Sequence, residues 1–97
     1  MKPLMLLVTY TARPGQREAF LNEVAAAGLQ SKIQQEGGCL RYVYFRSVQD
    51  ADQLLLVEIW ASEDQQKQHM QHSNMAQLTQ IKNRYIAATK LDRVCQE

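Results

Sequence analysis

Two histidines, His69 and His72, are the residues of this chain best suited to acid–base chemistry. Imidazole ordinarily titrates at about pH 6.5, so it can take up or release a proton under physiological conditions. His69 is the candidate catalytic base. His72 follows it by three positions, would share part of its helix face, and is a candidate substrate-binding residue. A histidine on an amphipathic helix can also be a surface or structural residue, and that alternative stays open for both.

Aromatic and basic residues of two predicted strands are candidates for binding a substrate. Trp60 ends one of these strands, where its indole could form a wall against an aromatic ring. Tyr42 and Tyr44 share one face of the preceding strand with Arg46, whereas Arg41 lies on the other face. Strand parity does not decide which face lines a pocket, so both tyrosines and Arg41 remain candidates. Each aromatic residue could instead pack in the core.

A single acidic residue, Glu58, lies within an otherwise apolar strand predicted at 53–61. A buried carboxylate needs a charged or hydrogen-bonding partner. We therefore expect Glu58 to form a salt bridge, for which a second subunit is one source, rather than to take part in catalysis.

Motifs for metals and organic cofactors are absent from the sequence. It contains no Gly-rich phosphate loop, no HExxH motif and no cluster of His and carboxylate residues at ligand spacing. Cys39 and Cys95 are far apart and form no CxxC pair, so both are expected to be free thiols. We expect a site without metal or cofactor.

The composition predicts one folded domain that covers residues 1–97. The chain is 45% hydrophobic and 22% charged, and its formal net charge is only +1. No basic stripe with interleaved aromatic residues is present, so nucleic acid is not an expected partner. The apolar run at 4–8 is too short for a signal peptide or a membrane span. We expect a cytoplasmic protein with a small-molecule partner and no membrane contact.

Hydrophobic periodicity predicts the secondary structure. Runs rich in β-formers indicate strands, and apolar residues at helical spacing indicate helices, the first of which ends at Gly37-Gly38. Ser73-Asn74 could divide the second helical region. The predicted strands are 4–11, 39–47, 53–61 and 84–94, and the predicted helices are 16–35 and 63–82.

This β-α-β-β-α-β order predicts an α+β, ferredoxin-like fold, with both helices on one face of an antiparallel sheet. The strand at 53–61 is apolar on both faces, with Leu55 and Val57 on one side and Leu54 and Leu56 on the other. A solvated face would alternate apolar with polar residues. A second copy of the chain is the simplest cover, which predicts a homodimer.

Several stretches, in this order, resemble the antibiotic biosynthesis monooxygenase family, which includes quinol monooxygenases. They are Ala12-Arg13-Pro14-Gly15-Gln16, Glu36-Gly37-Gly38-Cys39-Leu40-Arg41-Tyr42, Val57-Glu58-Ile59-Trp60, and His69 followed by Ser73. The resemblance implies a dimeric α/β barrel, with His69 over the sheet and no metal or flavin. Many relatives carry a second His five residues after the first, where this chain has Asn74.

The resemblance implies a monooxygenase that needs no cofactor. Such an enzyme deprotonates an electron-rich phenol, so that the anion can pass an electron to dioxygen, and keeps water off the intermediate. His69 would be the base and Trp60 the aromatic wall, with a quinol or similar polyphenol as substrate. An isomerase acting on a polar metabolite, with Arg41 or Arg46 holding an anion, is one alternative. A non-catalytic dimer that binds a small molecule is the other.

Overall fold

The chain follows the predicted β-α-β-β-α-β order, with each helical region divided in two. The computed structural model describes residues 2–94, and four strands and four helices lie within them. The strands are β1 (Leu4–Ala12), β2 (Cys39–Arg46), β3 (Gln53–Trp60) and β4 (Ile86–Val94), and the helices are α1 (Arg17–Ala26), α2 (Leu29–Gln34), α3 (Glu63–Gln71) and α4 (Ser73–Tyr85).

The four strands form one sheet in the order β2-β3-β1-β4, and every neighbouring pair is antiparallel. This is the ferredoxin-like α+β arrangement that the sequence predicted. The central strands β1 and β3 alternate strictly between buried and half-buried residues. Their buried positions share one face, so the side-chain period of two places the core under the helices.

The first helical region was predicted as one helix over 16–35, and this prediction is wrong. The chain breaks at Gly28, whose φ of 63° is in the left-handed region that glycine adopts without steric penalty. The break redirects α2, and Leu29 and Ile33 reach the core with no exposed surface. A lone glycine in a helical pattern costs only about 1 kcal/mol, so the pattern alone does not reveal the break.

The second helical region does break near Ser73-Asn74, as predicted. Helix α3 ends at Gln71, and α4 starts at Ser73 after His72 adopts an extended conformation. Helix α4 continues to Tyr85, beyond the predicted end at residue 82, so the last strand begins later than expected.

The two faces of the sheet differ in what covers them. On the helix face, aromatic and aliphatic side chains from the strands pack against Phe20, Val24, Leu78 and others from the helices. None of the helices that the structure describes covers the opposite face, and we call it the open face. Its apolar residues, half-buried or exposed, include Met5, Leu7, Val43, Phe45, Leu55, Val57, Ile59, Ala88 and Val94.

Two further features bear on the sequence predictions. Cys39 is a free, half-buried thiol, and Cys95 lies outside the described residues. None of the helices within residues 2–94 combines the length and apolar character needed to cross a membrane.

Candidate functional site

Helix α3 delivers His69 to the helix face of the sheet. The helix starts where the Ser62 side chain accepts a hydrogen bond from the Gln65 backbone N–H, at 3.2 Å, and acidic residues occupy its first turn. His69 lies in the last turn and is only 3% exposed. A histidine this buried is held by specific partners rather than by solvent.

The first partner of His69 is a carboxylate. Nδ1 of His69 lies 3.0 Å from Oε1 of Glu36, which follows α2, and their side chains are 2% and 6% exposed. The second Glu36 oxygen accepts a hydrogen bond from Nδ2 of Asn74, also at 3.0 Å. One buried carboxylate therefore connects the turn after α2 with both α3 and α4.

The second partner of His69 is Trp60, the last residue of β3. The two rings stack with centroids 4.6 Å apart and an interplanar angle of 27°. The indole N–H of Trp60 donates to Oε1 of Glu58 at 3.0 Å, and the Tyr42 ring lies edge to face with the imidazole, with the ring centroids 6.1 Å apart. Trp60 is fully buried, so the imidazole takes the place against the indole that a substrate ring was expected to occupy.

Glu58 was predicted to form a salt bridge, but its hydrogen-bond partner within residues 2–94 is the indole N–H of Trp60, and it points away from the open face. Its side chain points under the helices because it shares the parity of Leu56 and Trp60. Burial raises the pKa of the Glu58 carboxyl, while the Trp60 hydrogen bond and the charges of His69 and Lys82 oppose this rise.

A cluster of aromatic residues continues from this pair along the helix face. Tyr42 packs edge to face on Tyr44, with ring centroids 5.9 Å apart. The Tyr44 centroid lies 6.5 Å from that of Tyr10 and 6.0 Å from that of Phe20. The Lys82 ammonium lies 4.7 Å above the Tyr10 ring. Burial raises the pKa of all three tyrosines, so they stay neutral at physiological pH and can donate hydrogen bonds.

His69 and Glu36 both line a surface cleft of about 280 Å³. This volume is close to the lower end of small-molecule pockets. The cleft is lined by Gln35, Glu36, Gly37, Gln65, Gln68, His69 and His72. Its wall is polar and contains neither Arg nor Lys.

The predicted substrate-binding residues occupy different places. Tyr42 contacts His69, Tyr44 lies one ring farther away, and His72 is exposed at the rim of the cleft. Arg41 is exposed and pairs in register with Ile59 on the open face, so the structure does not bring it to His69.

Arg46, the other arginine considered as an anion holder, lies on the helix face but is already paired. Its guanidinium donates to both carboxylate oxygens of Glu18, at 2.8–3.2 Å. These hydrogen bonds lower the pKa of Glu18 to about 2. An arginine held in this way is poorly placed to capture a substrate.

His72 has a structural contact that the sequence did not suggest: its Nδ1 accepts a hydrogen bond from the Asn74 backbone N–H at 3.0 Å and so caps α4. We expect His72→Ala to lower the free energy of unfolding by about 1 kcal/mol, whereas His72→Asn should keep most of the cap. Thermal unfolding of the three proteins tests this, and equal destabilisation by both substitutions would show that the cap contributes nothing.

Sequence reasoning missed Glu36 as a functional residue and gave Glu58 a different role. An acidic residue in an apolar strand was a usable signal for Glu58. Glu36 carried none, because a polar residue at a helix end next to glycines is ordinary in a surface turn. Within the part of the chain that the structure describes, no three His, Cys, Asp or Glu side chains converge to hold a metal ion.

Solved structures of other proteins share this fold along nearly their whole length. PA3566 from Pseudomonas aeruginosa is 25% identical, with a TM-score of 0.87 and coverage of 100% of this chain and 96% of its own. A protein of unknown function from Bacteroides thetaiotaomicron, described as a possible oxidoreductase, is also 25% identical, with a TM-score of 0.82 and 96% coverage of both chains. An antibiotic biosynthesis monooxygenase is 18% identical, with a TM-score of 0.82 and coverage of 97% and 98%.

Sequence comparison supplies the family. No curated protein matches the chain at a significant level. The sequence profile of antibiotic biosynthesis monooxygenases matches residues 3–80, which is well over half of the 97 residues. The chain therefore belongs to the antibiotic biosynthesis monooxygenase family.

Proposed function

We propose that this protein is a cofactor-independent monooxygenase that oxidises a quinol or a similar polyphenol. The observation that carries the proposal is His69, which is buried between Glu36 and Trp60 and is one of the residues that line the cleft. Membership of the antibiotic biosynthesis monooxygenase family and the oxidoreductase description of a similar protein support the same reaction class.

The proposed reaction begins with proton transfer from a substrate hydroxyl to His69. Nδ1 of His69 faces Glu36, so Nε2 is the nitrogen left for the substrate. The resulting phenolate is electron-rich enough to reduce dioxygen. One oxygen atom then enters the ring and the other leaves as water, with the quinol supplying the electrons. The buried rings of Trp60 and Tyr42 would keep water away from the intermediate.

The isomerase alternative has less support from the placement of the arginines. It needs a cation beside His69 to hold an anionic substrate. Arg41 lies on the open face and Arg46 is paired with Glu18, and the cleft at His69 is lined by glutamines instead. The non-catalytic alternative differs from the monooxygenase only in lacking turnover, so a measurement of activity distinguishes the two.

Oxygen uptake tests the proposed function. Purified protein treated with chelator should consume dioxygen in the presence of at least one member of a panel of benzoquinols and naphthoquinols. With ¹⁸O₂, one labelled oxygen atom should appear in the organic product and the other in water. Buffer with each quinol measures autoxidation. If uptake never exceeds autoxidation across the panel, the monooxygenase proposal fails.

We further propose that the active protein is a homodimer in which two open faces pack together. The open face presents a row of aliphatic residues with Val57 near its centre, between Leu7 on β1 and Val43 on β2. Apolar faces of this kind are normally covered, and a two-fold pair covers both copies at once.

The dimer predicts the effect of a single charge on the open face. Val57→Asp would place two desolvated carboxylates in a two-fold interface, so we expect the species in solution to fall to the 11.2 kDa monomer. Val48→Asp is the matched control, because Val48 is fully exposed in the β2–β3 loop. Light scattering measures both. A wild-type protein that is itself monomeric would contradict the dimer.

A further inference from the structure

Glu36 is fixed in place by its backbone as well as by its side chain. Its N–H donates to the carbonyl of Ile33 at 3.0 Å, and its own carbonyl accepts from the N–H of Cys39 at 3.2 Å. A hydrogen bond connects this turn to the end of β3, because the N–H of Ala61 donates to the carbonyl oxygen of Gly38 at 2.7 Å. The carboxylate is thus presented from a rigid turn.

The turn can approach α3 this closely only because residue 38 is glycine. Its φ of 84° is a conformation that other residues rarely adopt, and a Cβ at this position would overlap the Gln65 side chain of α3. The Glu36-Gly37-Gly38 stretch therefore brings a carboxylate within hydrogen-bonding distance of a histidine 33 positions later.

The hydrogen-bond pattern around Glu36 determines which nitrogen of His69 carries the proton. An ionised carboxylate can only accept hydrogen bonds. Its second oxygen is occupied by the Asn74 amide N–H, so Oε1 is the atom that faces His69. Nδ1 must then be the donor, and in neutral His69 the lone pair is on Nε2.

We infer that Glu36 is a positioning residue that holds His69 in the Nδ1-protonated tautomer and so presents Nε2 as the proton acceptor, with Asn74 holding Glu36 in turn. The catalytic consequence rests on the proposed function, because it requires His69 to be the base. The tautomer itself does not depend on any reaction.

Nitrogen-15 NMR of the imidazole tests the inference directly. At about pH 8.5, above the ordinary imidazole range, wild-type His69 should show a protonated Nδ1 and an unprotonated Nε2. Glu36→Ala should shift His69 toward the Nε2-protonated tautomer that free histidine favours. Glu36→Gln should give the same shift, because Asn74 Nδ2 keeps the amide oxygen as its acceptor and the amide N–H then faces Nδ1, which must be unprotonated to accept it. Asp64→Asn, an exposed substitution in the first turn of α3, is the control.

Kinetics with an oxidisable quinol give the second readout. Glu36→Ala should lower kcat by up to about 10⁴-fold, the effect of losing the correct tautomer in a carboxylate–histidine pair, with a smaller change in KM. Glu36→Gln should lower kcat by a similar factor, because its amide N–H faces Nδ1 and stabilises the other tautomer while the side chain keeps its size. If Glu36→Ala does not fold, the Glu36→Gln protein carries the test, since it keeps the size and shape of the side chain.

The outcomes separate the inference from the proposed function. An Nε2-protonated wild-type His69, or a tautomer unchanged in the Glu36→Ala or Glu36→Gln protein, would overturn the inference even if quinols are oxidised. The expected tautomer shift in a protein without quinol oxidation would support the positioning role and reject the monooxygenase.

Discussion

Replacement of His69 by alanine should lower the rate of quinol oxidation by roughly 10²–10⁴-fold, the usual contribution of a general base. Without the imidazole, the titratable side chains that remain in the cleft are Glu36, whose second oxygen is held by Asn74, and the exposed His72, and neither takes the place of His69 against Trp60. The loss should appear mainly in kcat, because the imidazole acts on the reacting proton rather than on substrate affinity. Oxygen uptake under substrate saturation measures it.

Two variants separate loss of the base from loss of structure. His69→Gln keeps an N–H that can donate to Glu36 but has no basic nitrogen, so its rate should remain low while its thermal stability stays closer to wild type. Added imidazole should restore part of the rate of His69→Ala by entering the space left by the side chain. An alanine variant that is folded and as active as wild type would show that the proton goes elsewhere.

Much of the fold was predictable because it depends on local patterns. Runs of β-formers at 4–11 and 53–61, and apolar residues at helical spacing around Phe20, identify elements whose order allows few antiparallel topologies. Strand parity also showed that β3 is apolar on both faces. Strand parity could not show which of the two faces of β2 lies under the helices. That choice decided the positions of Tyr42 and Arg41.

The candidate site was predictable only in part, because its contacts join distant segments. The types of His69 and Trp60 suggested chemistry and an aromatic wall, but their stacking depends on how α3 crosses the end of β3. The Glu36 contact depends on a turn conformation at Gly38 and on the break at His72 that starts α4 beside it. Such long-range geometry leaves no periodic signal in the sequence.

Strand β3 connects the candidate site to the proposed dimer interface. Glu58 and Trp60 point to the helix face, and Val57 and Ile59, which alternate with them, point to the open face. A shift of β3 by one residue would exchange the two sets and turn Trp60 away from His69, so the position of Trp60 depends on the register of β3 against β1 and β2. Packing of the open face against a second subunit would thereby stabilise the site on the other side.

Replacement of Trp60 by alanine should lower the free energy of unfolding by about 3–5 kcal/mol, the range for large aromatic residues in a packed core. Trp60 is fully buried, stacks on His69 and donates to Glu58, so its loss leaves a cavity and a buried carboxylate without its donor. For a domain with a total stability of about 5–15 kcal/mol, this removes a large share. Chemical denaturation measures the change.

Trp60→Phe tests the indole hydrogen bond and has a predictable dependence on pH. The ring is kept but the N–H donor is lost, which favours the protonated form of Glu58 and raises its pKa further above the usual 4.5. Between the pKa of Glu58 in the unfolded chain and its higher pKa in the folded variant, the folded variant binds a proton that the unfolded chain does not. The stability of the variant therefore increases as the pH falls through this range. The deficit relative to wild type should therefore be about 1–3 kcal/mol at neutral pH and shrink toward acidic pH. Introducing Glu58→Gln into both proteins should abolish the pH dependence of the difference, whereas a difference that is constant between about pH 4.5 and pH 8 would mean that Trp60 does not stabilise the ionised carboxylate.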